Sequence, residues 1–279
     1  MTDPLLDFYR HKEMYIKLPT EGKWYTSNIK MSDQNEIGVM PLSFKDEMLL
    51  SIPDSVYNGE SLFEILKSIV PDMENPYEIM LPDVDVILLA SRINNNEEGT
   101  LRTEAKCPHC ESTEEYEIKI INILNQIKPV NSIEIELSNG LTIIFKPNSL
   151  KSITSNQIRI TENAQLLQQL ENETDQLKQH EIFQQSLERS TAASMMILAD
   201  SIEKIITPST EVIDNITSIL AWLSNSDSIT IKKLQEINQQ INANGIDKEF
   251  KFECSNEECG KKFKSAVEFN PTFFFTNDS

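Results

Sequence analysis

Apolar positions along the chain follow two rhythms, and each predicts a different kind of element. Leu62, Ile65, Leu66 and Ile69 recur at helical spacing and predict a helix over 60–70, stopped by Pro71. Val84, Ile87, Leu88 and Ile93 predict the buried side of another, with Asp83 as its N-cap and Pro82 fixing the entry. Residues 44–50 read as a short helix broken by Pro53-Asp54, and Asn58-Gly59 as a turn. A period of two marks strands at 37–42, at Tyr116, Ile118 and Ile120, and at Phe250 and Phe252. Two further alternating runs, 133–137 and 141–145, flank Ser138-Asn139-Gly140, which predicts a hairpin whose central residues adopt positive φ. Phe263, Val267 and Phe269 follow, and Pro271-Thr-Phe-Phe-Phe275 predicts a last strand.

From about 152 to 244 the pattern becomes Gln-, Asn-, Glu-, Ile- and Leu-rich. Leu166, Leu170, Leu177, Phe183 and Leu187 keep near-heptad spacing, read first as internal bundle packing and, as the alternative, as a seam for another protein. Met195, Leu198, Ile202 and Ile205 prolong a helical stripe up to Pro208. Ser209 or Thr210 is expected to cap a helix burying Ile213, Ile216, Leu220 and Leu223. Ser228 caps the last, with Ile231, Leu234, Ile237 and Ile241 inward and Gly245 closing it. The fold class is α+β: a mixed core, a split four-cysteine ribbon, a β-hairpin and an inserted all-helical region of about four helices. The expected division is 1–120 with 247–279 as core and ribbon, 121–151 as hairpin segment, and 152–246 as helical insertion.

Composition narrows the function. With 44 acidic and 25 basic residues the formal charge is -19, and no basic strip offsets it, so nucleic acid is disfavoured as a partner. Seven glycines among 279 residues argue against phosphate-cradling loops. The first residues lack the basic-then-apolar order of a signal peptide, and no apolar run approaches the ~20 residues of a membrane span. Synthesis in a reducing cytoplasm without membrane association is the expectation.

That compartment changes the reading of the four cysteines from disulfides to metal. Cys107-Pro-His-Cys110 has knuckle spacing, and Cys254-Ser-Asn-Glu-Glu-Cys259 is a looser form followed by Gly260. Four thiolates close a tetrahedral shell with no position left for water, which describes a structural Zn2+ site and not a catalytic one. The competing readings are four unrelated reduced cysteines, or a redox dithiol at Cys107/Cys110. His109 is read as facing solvent. The halves are 143 residues apart, so a compact insertion has to return the chain to where it left.

No catalytic constellation accompanies this site. The histidines His11, His109 and His180 fit no nucleophile or hydrolase pattern, and acidic pairs such as Asp83/Asp85 and Glu97/Glu98 read as solvated surface. Arg92 is read either as one surface cation or as a specific ion-pair partner. The chain is read as not an enzyme.

An ordered set of motifs carries a resemblance. They are Leu18-Pro19-x-x-Gly22-x-x-Tyr25, Pro41-Leu42-x-x-Lys45-Asp46-Glu47-x-Leu49-Leu50, and Pro53-Asp54 with Asn58-Gly59. Leu66-x-x-x-Val70-Pro71-Asp72, Asp83-x-Asp85-x-x-Leu88-Leu89-x-Ser91-Arg92-Ile93 and Cys107-Pro108-x-Cys110 follow. Together they cover about residues 16–112, and the segment 271–275 looks similar too. In these the chain resembles the baseplate hub and hub-assembly proteins of T-even-like contractile-tailed bacteriophages. The resemblance implies a non-enzymatic assembly factor or chaperone of the tail baseplate hub, acting in the host cytoplasm on other hub or tail proteins. The alternatives are a permanent virion subunit in the baseplate and a zinc-ribbon nucleic-acid accessory.

Overall fold

The computed structural model describes residues 5, 8–27, 29–50, 60–95, 99–172 and 175–267. The features expected at Pro53-Asp54, Asn58-Gly59, Glu97/Glu98, Phe269 and 271–275 lie outside them. The architecture is α+β, with eight α-helices and four small antiparallel sheets among the described residues. No helix there is long and apolar enough to cross a membrane.

Two buried clusters organise the chain. The first gathers β1 (Met14–Lys17), β2 (Glu36–Val39), α1 (Phe44–Leu50), α2 (Glu60–Ile69) and α3 (Leu81–Asn95). β1 and β2 pair antiparallel from Met14↔Val39 to Lys17↔Glu36. Ile65, Leu66 and Ile69 of α2 are fully buried there, as their spacing predicts. Helix α3 goes further than its pattern suggests: Val86, Ile87, Leu88, Leu89 and Ala90 are all buried, so it has no wet face in its middle. β3 (Thr100–Lys106), β4 (Thr113–Lys119) and α4 (Ile120–Leu124) complete this half, with Ile120 opening α4 and not ending the strand.

The acidic and basic residues of α3 correct the surface reading. Helix α3 starts before Asp83, and Asp83 is fully buried instead of capping. Its carboxylate accepts hydrogen bonds from the Thr20 amide (2.9 Å), the Thr20 hydroxyl and the Tyr25 hydroxyl (2.5 Å). Tyr25 in turn accepts from the Met80 amide. The Leu18–Tyr25 motif is thereby tied to the start of α3. Arg92 is likewise buried, not a surface cation.

The second cluster is built on β5 (Ile133–Glu136) and β6 (Thr142–Phe145), whose hairpin the Asn-Gly signal predicts. The turn has three residues: Gly140 N donates to Leu137 O and Leu137 N to Leu141 O. Gly140 adopts φ +81 while Asn139 does not take positive φ, the form of a type I turn closed by a bulge. Four helices follow, α5 (Leu150–Asn172), α6 (Gln176–Ser201), α7 (Ile216–Ser224) and α8 (Ser228–Ala243).

The insertion is nevertheless not all helical. α6 stops at Ser201, and Ile202–Ile206 forms β7, which pairs with β6 on one side and with β8 (Val212–Ile213) on the other. Ile202 and Ile205 therefore bury from a strand, because β-branched residues fill the open edge that β6 presents. The caps shift accordingly. Asn215, not Ser209 or Thr210, receives the amides of Thr217 and Ser218. Asp227, one residue before Ser228, receives those of Ile229 and Thr230.

The α5–α6 hairpin departs most from its pattern. Between its helices lie Thr154, Asn163, Ser186 and Ala193, with Asn163 Nδ2 donating to Ser190 Oγ at 2.7 Å. Of the residues read as its packing seam, Leu177, Phe183 and Leu187 face solvent, at 77%, 54% and 59% exposed, while Leu166 is half-buried.

Beyond α8 the chain returns to the first cluster. Gly245, at φ +111, sits where a Cβ would meet Pro19 and Pro82 at 3.0–3.2 Å, so only glycine fits the approach. Lys128 N donates to Gly245 O, and Lys248 Nζ pairs with Asp85 at 2.9 Å. β9 (Glu249–Glu253) and β10 (Lys262–Ala266) then form the last described hairpin.

Candidate metal centre

Two hairpins of parallel design meet at one point. β3 and β4 pair from Thr100↔Lys119 to Lys106↔Thr113, so residues 107–112 are the loop. β9 and β10 pair from Glu249↔Ala266 to Glu253↔Lys262, leaving 254–261 as the second loop. Each loop is closed by the amide of its first cysteine. Cys107 N donates to Ser112 O at 2.9 Å, and Cys254 N to Lys261 O at 3.0 Å. The residue after each second cysteine turns left-handed, Glu111 at φ 61 and Gly260 at φ 53. Gly260 matches expectation; at Glu111 the loop holds an ordinary residue in the same conformation.

Hydrogen bonds inside the loops aim the sulfurs. Glu111 N donates to Cys107 O, and in the second loop both Cys259 N and Gly260 N donate to Asn256 O. Behind them the rings of Tyr116, Phe252 and Phe263 pack together, tilted for Tyr116–Phe252 with centroids 4.7 Å apart and edge-on for Tyr116–Phe263 at 5.9 Å. The aromatic alternation that marked these strands thus packs one hairpin on the other. Ser255 N also donates to the Glu114 carboxylate at 3.2 Å.

All four cysteines predicted from sequence are brought together. Their sulfurs lie within 4.8 Å of one another, with Cys107–Cys259 at 3.9 Å and Cys110–Cys254 at 3.5 Å. Bonds of ~2.3 Å to a tetrahedral ion would place sulfurs ~3.8 Å apart, so the cluster has the dimensions of an all-thiolate metal site. Cys107 and Cys254 are buried, Cys259 is half-buried and Cys110 exposed. His109 is exposed and outside the group, as expected.

Electrostatics favour a cation here. The Ser112 hydroxyl, 3.1 Å from Cys110, is the main reason that the Cys110 thiol is lowered to about 6. At Cys259 the Lys261 amide favours the thiolate, but burial and the sulfurs of Cys110, Cys107 and Cys254 push it up to about 11. One thiolate forms readily and the next is resisted by the first, a conflict that a bound cation removes. Ser112 was not singled out from sequence. Its Oγ also lies 3.5 Å from Cys254, so it bridges the two halves. A hydroxyl two positions after a Cys-x-x-Cys was the available signal.

Sequence comparison extends beyond the motifs noted at the outset. No curated protein and no solved structure matches the chain. The pattern of one protein family, described as the T4 bacteriophage base plate protein, matches residues 16–276, running through the helical segment that the short motifs do not reach. On that match over most of its length, the chain belongs to the T4 bacteriophage base plate protein family.

Proposed function

We propose that this chain is a non-enzymatic assembly factor of the phage baseplate hub, held together by one structural Zn2+ on Cys107, Cys110, Cys254 and Cys259. Family membership carries the reading: a baseplate protein has a structural or assembly role among other baseplate proteins. The hub as its place, and the host cytoplasm as its site of action, come from the motif resemblance over residues 16–112.

The site supports a stabilising ion. Four sulfur donors complete a tetrahedral shell and leave no position for substrate or water. When bound, zinc supplies no chemistry beyond neutralising the thiolates and joining the two hairpins. The formal charge of -19 suits a factor that binds basic or aggregation-prone surfaces on its partners.

Co-expression with other hub proteins is the test. The tagged chain is expected to co-purify with at least one of them, carrying one zinc per chain by elemental analysis. A monomer indifferent to every hub protein would remove the assembly role. Mass spectrometry of finished particles then decides between a factor that leaves and a permanent subunit: absence supports the former, a fixed copy number the latter.

A further inference from the structure

β1 is hydrogen-bonded along one edge only. Its register with β2 accounts for that edge, and among the described residues no backbone group of Met14–Lys17 bonds across the other. The open edge borders a groove of about 500 Å³. Every residue of β1, Met14 to Lys17, lines it. Side chains alternate between faces of a strand, so consecutive residues share one groove only if the groove runs along the backbone edge. The opposite wall comes from α4 and the turn after it: Ile121, Leu124, Ile127 and Pro129. Ile121 is 45% exposed, an apolar side chain left facing this space.

We propose that this groove takes one extended segment of a partner protein as a third strand on β1. An open row of amides and carbonyls selects extended backbone, because a helix has already paired its own. β1 is four residues long, which sets the paired stretch at about 13 Å. A second copy fits poorly: its β1 brings its own β2, which would have to stand where Ile121 to Pro129 form the wall. Of the carboxylates on the groove, Glu21 is paired with Lys23 at 2.9 Å, which leaves Glu36 beside Lys17. The segment that fits therefore alternates apolar residues, directed at Ile121, Leu124 and Ile127, with neutral ones or a basic one that meets Glu36. This inference goes beyond the baseplate reading and stands on β1 and α4 alone.

The probe is an array of capped, fluorescent heptapeptides alternating Lys or Thr with Ile, Val, Leu or Phe, titrated into the full zinc-loaded chain. The tightest binder is expected to lose at least tenfold in affinity when its alternate amides are N-methylated on the edge facing β1. A similar loss is expected against Ile121→Asp, whose fold is checked by circular dichroism. Bound peptide is expected to slow amide exchange at residues 14–17. Absence of any binder below millimolar overturns the proposal, as does indifference to N-methylation or to Ile121→Asp. A dimer in sedimentation with protected β1 amides also overturns it, in favour of a second copy. Because the assay needs no hub protein, its failure leaves the baseplate assignment standing, and failed co-purification leaves this groove standing.

Discussion

In the ribbon, two two-stranded hairpins share three aromatic rings and four thiols. In the sheet of β5–β8, Ile143, Phe145, Ile202 and Ile205 lie under Leu198, Ile219, Leu223, Leu234 and Ile241 from three helices. The first rests on the large first cluster through Leu101, Ile118 and Val267, and places four sulfurs where its two hairpins meet. The second is held by burial, with Asn148 hydrogen-bonded to Ile197 O and to Asn242 as a buried polar tie between its helices. With the proposed zinc in place, one chain would use cross-linking in the first region and packing in the second.

That contrast can be broken at either side. The largest effect is expected from removing the zinc proposed for the four cysteines. A chelator, or Cys107→Ser with Cys110→Ser, should abolish metal content, expose residues 249–266 to rapid amide exchange and lower the melting temperature by roughly 10 °C or more. An unchanged exchange pattern would mean that the three aromatic rings suffice. Next comes Phe145→Ala in the second cluster, where the ring is fully buried. It should cost about 3–5 kcal/mol in denaturant titration while one ion per chain is retained. Loss of the ion in that variant would show the two regions to be one cooperative unit.

Asp83 gives a third test, through pH. Burial raises its carboxyl to about 6, with the Thr20 and Tyr25 hydrogen bonds opposing the shift. The folded state therefore holds the proton more tightly than the unfolded chain, whose value is near 3.9. The group's stabilisation is fully present below about pH 4 and is lost as pH rises through about 6, a change of about 3 kcal/mol. Asp83→Asn should remove this component, so the wild-type-minus-variant stability difference should slope between pH 4 and 6 and be flat above. A parallel pair of pH profiles would exclude Asp83 as the source.

The smallest effect is expected in the seam. Asn163 is buried with its Oδ1 unpartnered, and its amide serves Ser190 alone. Asn163→Leu with Ser190→Ala should leave stability unchanged or raise it by up to about 1 kcal/mol. A loss above 2 kcal/mol would make that hydrogen bond a true determinant of the hairpin.

The gathering of the cysteines was legible because its signal is chemical and local: two cysteine pairs, each at loop spacing, need no knowledge of the intervening chain. The Asn139-Gly140 hairpin was legible for the same reason, although its turn differs in type. β7 was not, since Ile202 and Ile205 satisfy a helical stripe continuing from Leu198 as well as a strand. Only β6, 60 residues earlier, decides between them. Asp83 was misread as a cap and as surface because residue type suggests solvent; Thr20, which holds it, is distant in sequence. The heptad of Leu177, Phe183 and Leu187 misled in the opposite sense, its apolar rhythm being real but turned outward.

The separation of the two cysteine pairs also has a consequence in time. At roughly 5–20 residues per second, the 143 residues between Cys110 and Cys254 take about 7–30 s to synthesise. For that interval the nascent chain carries half a site, Cys107 and Cys110 without Cys254 and Cys259. The order of synthesis therefore makes the ribbon the last part of the described fold to close, a seal set only after β5–β8 and their helices have been produced.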